Sequence, residues 1–316
     1  MPLLRKCIYL SNDLISSENM ETNNLSIIGM GYVGLVSGLC FAERGHSVCF
    51  YDIDNDKINT LNSQSAHFFE PKIDILLDAN KQHIHCTADL RLAVQHSDVI
   101  LIAVGTPNNP DGATNLYHLY NVVQNIASYI ERDTLLVIKS TVPVGTLACV
   151  EKLIAKHVVQ NVACDVVSNP EFLREGSAVE DFREPDRIVI GARSKLAVER
   201  MRQLYSPWVA QGTPFIITDP ETAELSKYTA NAFLATKISF INQIAQIAEK
   251  TGADIDIVKQ VLGSDHRVNH EFLEAGCGYG GSCFPKDIAS LINLAEQRGC
   301  SVDLLKSVQS INNYQK

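Results

Sequence analysis

Short, nearly continuous apolar runs alternate with longer segments of helical spacing over the first two thirds of the chain. Leu25-Ser-Ile-Ile28 is an apolar strand that runs into a glycine-rich turn, Gly29 to Gly34. Helical spacing continues to about Arg44, Gly45 closes the helix, and Ser47-Val-Cys-Phe-Tyr51 reads as the next strand. The alternation predicts a strand over 98–104, a helix over 116–130, and strands over 135–138, 164–168 and 187–190. Strands this apolar are covered on both faces, so the expected fold is α/β, a doubly wound parallel sheet with helices on each side.

The pattern changes at Asp219-Pro220. Asp219 can cap a helix, Pro220 suits its first position, and helical spacing then runs unbroken to Gly252. Roughly 32 residues at 1.5 Å rise make a rod of about 48 Å. Shorter helices are predicted over 254–262, 288–298 and from Ser301 onward, so the remainder of the chain is a mainly helical domain. The expected boundaries are a flexible extension over 1–24, a sheet domain over 25–213 and a helical domain over 214–316. Met20 is a possible alternative start, since Leu25 would still open the first strand. No internal repeat is present.

Composition narrows the function classes. The chain has 316 residues, 46% of them apolar and 20% charged, as expected of a globular protein of about two domains. The formal charge of -9 argues against nucleic acid or an anionic membrane as partner, and no apolar run reaches the length of a membrane span. Any anionic substrate would have to be held by locally placed cations. Nine cysteines without CxxC pairs read as reduced thiols of a cytoplasmic protein, and the first residues lack a cleavage signal. His83 and His85 have no companion ligand at a useful spacing, so no metal site is expected.

The chemistry lies in a few motifs. Gly29-Met30-Gly31-Tyr32-Val33-Gly34 follows a strand, opens a helix and is answered by Asp52 at the end of the next strand, 18 residues after Gly34. This is the Rossmann-like dinucleotide arrangement, in which glycines admit the pyrophosphate and the acid accepts from a ribose hydroxyl. A carboxylate there repels a 2′-phosphate, which favours NAD over NADP.

Val104-Gly105-Thr106-Pro107 and Ser140-Thr141-Val142-Pro143 each follow a sheet strand, at the edge where such sheets bind ligands. Each is either a plain turn or part of the nicotinamide side of that cleft. Asn169-Pro170-Glu171-Phe172-Leu173-Arg174-Glu175-Gly176 offers two carboxylates four residues apart. If the segment turns helical after Pro170 they share a face, either as a dipole-favoured acidic pair or with one of them as a general base. Lys227 and Asn231 lie one helical turn apart, either as solvated polar groups or as holders of an oxyanion.

Gly280-Gly-Ser-Cys283-Phe-Pro-Lys286-Asp287 supplies a thiol among glycines, with a cation nearby. A thiol nucleophile beside a redox cofactor suggests covalent oxidation of an aldehyde through a thiohemiacetal and a thioester. Cys277 is the rival thiol, and spacing alone does not separate the two.

These motifs, in this order from Leu25 to Gln315, resemble those of the nucleotide-sugar dehydrogenases, the UDP-glucose/GDP-mannose dehydrogenase family. The resemblance implies NAD-dependent oxidation of a sugar C6 alcohol to a carboxylate. UDP-glucose is the implied substrate, with GDP-mannose or a UDP-N-acetylhexosamine as alternatives. It makes Cys283 the nucleophile, Lys227 and Asn231 the oxyanion holders, Glu171 the proton acceptor and donor, and Asp287 with Thr141 the positioners of water. Glu175 falls close to the nicotinamide, and Lys57 and Lys286 count with the cofactor contacts. Phe172, Leu173, Arg174, Phe272 and the loop Gly276, Gly278, Tyr279, Gly280 count with the substrate contacts.

Arg267 matches an arginine that reaches a neighbouring subunit's substrate, which implies a homodimer. Two features depart from the family pattern: Ala275-Gly276 replaces Pro-Gly, with Cys277 an added thiol, and no third, nucleotide-holding domain follows Lys316. The second departure leaves two expectations, a catalytic chain with a shortened nucleotide grip or an NAD-binding, dimerising chain without catalysis.

Overall fold

The computed structural model describes residues 22–158 and 161–316, and the expectation for the N-terminal extension falls almost wholly outside them. The chain divides into two compact units. One comprises the residues through Thr106 together with Leu116–Glu224, and the other Pro107–Asn115 together with Leu225–Lys316.

The first unit is built on an eight-stranded sheet. Strand β1 (Asn24–Ile28) leads into helix α1 (Tyr32–Glu43) and β2 (Ser47–Tyr51), followed by α2 (Asn55–Asn62), α3 (Ile73–Asn80), β3 (Ile84–Thr87) and α4 (Leu90–His96). Next come β4 (Val99–Ile102), α5 (Tyr117–Tyr129), β5 (Thr134–Ile138), α6 (Thr146–His157) and β6 (Cys164–Ser168). The sheet is completed by α7 (Ala178–Arg183), β7 (Ile188–Gly191), α8 (Lys195–Leu204), α9 (Ser206–Ala210) and β8 (Phe215–Thr218).

The strand order β3-β2-β1-β4-β5-β6-β7-β8 starts in the middle and winds outward in both directions. Two apolar clusters flank it. One centres on Leu35, Leu39, Phe41 and Trp208, the other on Ile100, Ile102, Val123 and Leu136. Every residue of β4 and β5 is buried, which explains why they read as uninterrupted apolar runs.

The wholly parallel sheet expected from the sequence is corrected at one place: β7 runs antiparallel to β6, paired through Ser168 and Gly191. A parallel return needs a long crossover. Here the intervening chain is spent on an extended loop and the six-residue α7, whose Phe182 stacks edge-on against Phe41 at 5.3 Å. Strand β8, absent from the expected elements, pairs parallel with β7. His85 lies on β3 and His83 on the short helical turn before it.

Helix α10 (Pro220–Thr251) has the predicted 32 residues. Asp219 accepts from the Thr222 amide at 2.8 Å, and Gly252 stops the helix at φ 74°. The second unit continues with α11 (Ile255–Gly263), α12 (Phe284–Gln297) and α13 (Asp303–Gln315). Helix α12 starts four residues before the expected 288, because Pro285 can occupy its first turn and Cys283 takes the capping position.

Candidate functional site

The glycine turn stands at the switch point of the sheet, where β1 and β4 lie side by side and the winding direction reverses. Gly29 adopts φ 99°, and a Cβ on it would stand 2.8 Å from the Ala103 carbonyl oxygen. A Cβ on Gly34 would strike the Gly29 carbonyl, so both glycines are required for the chain to turn and for helix to meet strand.

Gly31 differs: no heavy atom lies within 4 Å of the position its Cβ would take. It caps α1, which has no side-chain cap and no acidic residue in its first turn. The N-terminus of α1 and the space before Gly31 fit a pyrophosphate. Gly31→Ala is therefore expected to leave the melting temperature within about 2 °C, yet weaken NAD binding at least about tenfold. Calorimetric titration beside a thermal melt checks both.

Asp52 is buried, and its carboxylate accepts from the Met30 amide at 2.7 Å, the Asp54 amide at 3.0 Å and the Lys57 ammonium at 3.1 Å. Burial alone pushes this carboxyl upward, but the two amides and Lys57 outweigh it and hold it below its ordinary value. The structure thus brings together the glycine turn, Asp52 and Lys57.

The next two strand ends are also joined. Thr106 Oγ1 donates to the Thr141 carbonyl at 2.8 Å, and Ser140 Oγ to the Val104 carbonyl at 2.7 Å. Below them, buried Lys139 donates to Asn169 Oδ1 at 3.2 Å. Asn169 also accepts from the Tyr205 hydroxyl at 2.7 Å and donates to the Val189 carbonyl at 3.0 Å, tying the ends of β5, β6 and β7.

The helical turn considered after Pro170 is not formed. Glu171 is buried and accepts from the Leu173 amide at 2.6 Å, a local closure that competes with helix. Gly176 sits at φ 89°, and buried Glu70 accepts from the Gly176 and Ala178 amides, both at 2.8 Å, so the helix begins only at Ala178. Glu171 and Glu175 consequently share no helical face, and Glu175 is exposed. The Arg187 guanidinium lies 3.9 Å from the Phe172 ring centroid, Leu173 packs on the core, and Arg174 pairs with Asp181 at 2.6 Å.

In the second unit, Lys227 and Asn231 occupy one face of α10, and both are buried, which excludes the solvated reading. Asp287 is 1% exposed and accepts from Asn231 Nδ2 and from Lys286 Nζ, each at 2.6 Å. Its amide donates to the carbonyl of Cys283 at 2.9 Å, which links this polar cluster to the first turn of α12. The Lys286 ammonium is thus engaged by Asp287. Cys283 is half-buried at the cap of α12, with Ser282 Oγ 3.6 Å from its sulfur, whereas Cys277 is exposed.

The loop before Cys283 is pinned from two helices. Asn242 of α10 accepts from the Gly276 amide at 2.8 Å, and Gln315 of α13 donates to the Gly276 carbonyl at 2.7 Å. Asn312 accepts from the Tyr279 amide at 2.7 Å and returns a bond to the Tyr279 carbonyl at 3.0 Å. Gly278 has φ 85°, and a Cβ there would meet the Asn312 carboxamide. The Phe272 and Tyr279 rings lie 6.1 and 6.0 Å from Phe284, and Phe272 holds φ 62°. Around Gly280 there is open space. Arg267 is exposed and paired with Asp265 at 2.6 Å.

Glu70, Asn242 and Asn312 had escaped the sequence reading, since each acts on backbone far away in the chain. The described residues contain no cluster able to hold a metal ion and no helix long and apolar enough to cross a membrane.

Comparison with known proteins places these features. Residues 23–209 match the NAD binding domain of the UDP-glucose/GDP-mannose dehydrogenase family, and residues 221–314 match its central domain. A UDP-glucose 6-dehydrogenase of Bacillus subtilis is 45% identical over 301 residues, 93% of this chain and 66% of the relative. One from Rhizobium meliloti is 46% identical over 299 residues, 92% of this chain and 68% of the relative. The chain thus spans about two thirds of their length. The solved UDP-glucose dehydrogenase of Pyrobaculum islandicum has a TM-score of 0.90 at 38% identity, over 94% of this chain and 69% of that one. With the NAD cradle, the strand-end turns and the cysteine loop all inside the matched domains, the chain belongs to the UDP-glucose/GDP-mannose dehydrogenase family.

Proposed function

We propose that the chain oxidises UDP-glucose to UDP-glucuronate in two successive oxidations, the second through a covalent bond to Cys283. The observation that carries this reading is the cluster of buried Asn231 and Asp287 with half-buried Lys286, linked through backbone to Cys283 at the cap of α12. NAD, when bound, accepts one hydride in each oxidation.

In the first oxidation Glu171 takes up the proton of the sugar C6 hydroxyl as the carbon loses hydride. In the second, the Cys283 thiolate adds to the aldehyde carbon, and Lys227 with Asn231 stabilises the resulting alkoxide. A carboxamide nitrogen carries two N–H groups, so Asn231 can satisfy Asp287 with one and the oxyanion with the other. Loss of the second hydride leaves a thioester on Cys283. Water positioned by Asp287 and Thr141 then cleaves the carbon–sulfur bond, giving the carboxylate and returning the thiol.

A homodimer belongs to this reading. Leu225, Phe233, Phe240 and Ile247 are exposed large apolar residues spaced eight, seven and seven apart on α10, a stripe suited to burial against a second copy. The eight described cysteines are all free, which supports a reducing, cytoplasmic setting.

A second reading is an NAD-binding, dimerising chain without catalysis. One panel decides between them: UDP-glucose, GDP-mannose and a UDP-N-acetylhexosamine, each with NAD. The expected result is two NADH per UDP-glucose consumed and at least about tenfold lower kcat/KM with the others. NAD binding without NADH formation from any of them selects the second reading.

A further inference from the structure

Glu224, near the start of α10, is 2% exposed, yet it carries a carboxyl group. Its Oε2 accepts from the Gly145 amide at 2.6 Å and its Oε1 from the Leu147 amide at 2.8 Å, across 79 and 77 residues of sequence. Those amides belong to the opening of α6. Gly145, the cap of that helix, sits at φ 98° and has no side chain to close the turn itself. Thr146 then binds back to the preceding turn, its amide and its hydroxyl both donating to the Pro143 carbonyl, at 3.1 and 2.6 Å. Thr141, two residues earlier, is held in turn by Thr106. An unbroken series of bonds thus runs from Glu224 to the Ser140-Thr141-Val142-Pro143 turn.

We propose that Glu224 is a positioning residue for the proposed reaction, fixing the backbone of the Ser140–Pro143 turn by closing the first turn of α6 with both carboxylate oxygens. The proposal rests on the reading of that turn as a cofactor and water contact.

Burial pushes the Glu224 carboxyl up to about 7, against the pull of the Gly145 and Leu147 amides, with Glu221 raising it further and Arg193 lowering it. Tyr120 of α5 also faces it, and burial, Cys149 of α6 and then Glu224 push the Tyr120 phenol up to about 12. Across neutral pH, Glu224 therefore changes from an acid, with only its carbonyl oxygen well suited to accept, to a carboxylate able to accept both amides.

NAD affinity by calorimetry at pH 6 and pH 8, with hydrogen exchange at Gly145 and Leu147, tests the proposal in wild type, Glu224→Gln and Glu221→Gln. The wild type is expected to bind NAD about tenfold tighter at pH 8 than at pH 6. Glu224→Gln should bind at both pH values as the wild type does at pH 6, with faster exchange at both amides, while Glu221→Gln, which removes a charge that raises Glu224, should narrow the difference by moving the change in affinity to lower pH. A merely structural role would lower the melting temperature of Glu224→Gln and leave its pH difference in NAD affinity intact, which overturns the proposal. Unchanged exchange at Gly145 and Leu147 also overturns it. Neither arm uses turnover, so a chain that binds NAD without oxidising any sugar nucleotide defeats the reading of the activity and leaves this test standing.

Discussion

Replacing Cys283 with serine is expected to lower UDP-glucuronate formation on the order of a thousandfold or more while leaving NAD affinity unchanged. The substitution swaps sulfur for a far poorer nucleophile at neutral pH and alters little else. The Cys283 side chain makes no capping bond to the first turn of α12. Serine is a preferred residue at that position, so the fold should be as stable as before or slightly more so. Lost activity with an undiminished melting temperature would therefore report chemistry rather than unfolding. Cys277→Ser, in the exposed loop, should leave turnover unchanged. Steady-state NADH release, NAD titration and a thermal melt on the two variants make the comparison.

Asp287→Asn is expected to reduce kcat about a hundredfold and to destabilise the second unit by about 2–4 kcal/mol. The side chain keeps its size, but one acceptor oxygen becomes a donor. Asp287 is almost wholly buried and receives N–H groups from both Asn231 and Lys286, so an amide there must face one donor with another. The Asn231 carboxamide would lose its reference point. NAD affinity should not change. A denaturant melt gives the stability term and initial rates give kcat; a full wild-type rate in Asp287→Asn would remove this residue from the positioning of water.

The alternation of strands and helices, the dinucleotide turn and the long helix were legible in the sequence because each is set locally. Glycines at fixed offsets, an acid at the end of the second strand, and the Asp219-Pro220 start with the Gly252 stop all act on neighbouring residues. What escaped is set at a distance. The reversed direction of β7 depends on a loop held by Glu70, more than a hundred residues earlier in the chain. Strand β8 is only partly buried and takes its identity from pairing with β7. The spacing of Glu171 and Glu175 left a helical turn open, but the Glu171 carboxylate closes a tighter turn.

In the site, the residue types were legible and their states were not. The burial of Lys227 and the engagement of Lys286 by Asp287 rather than by the thiol depend on how α10 and α12 pack. The Asn312 clamp on the cysteine loop has no local signature at all.

The central claim is a bond between the Cys283 sulfur and the sugar carbon, and acid-quenched turnover with UDP-glucose and NAD, followed by peptide mass analysis, tests it most directly. The account predicts the mass of the oxidised sugar nucleotide on the peptide carrying Cys283, absent when NAD is omitted. That mass on Cys277, or on no cysteine while the acid product accumulates, would contradict it.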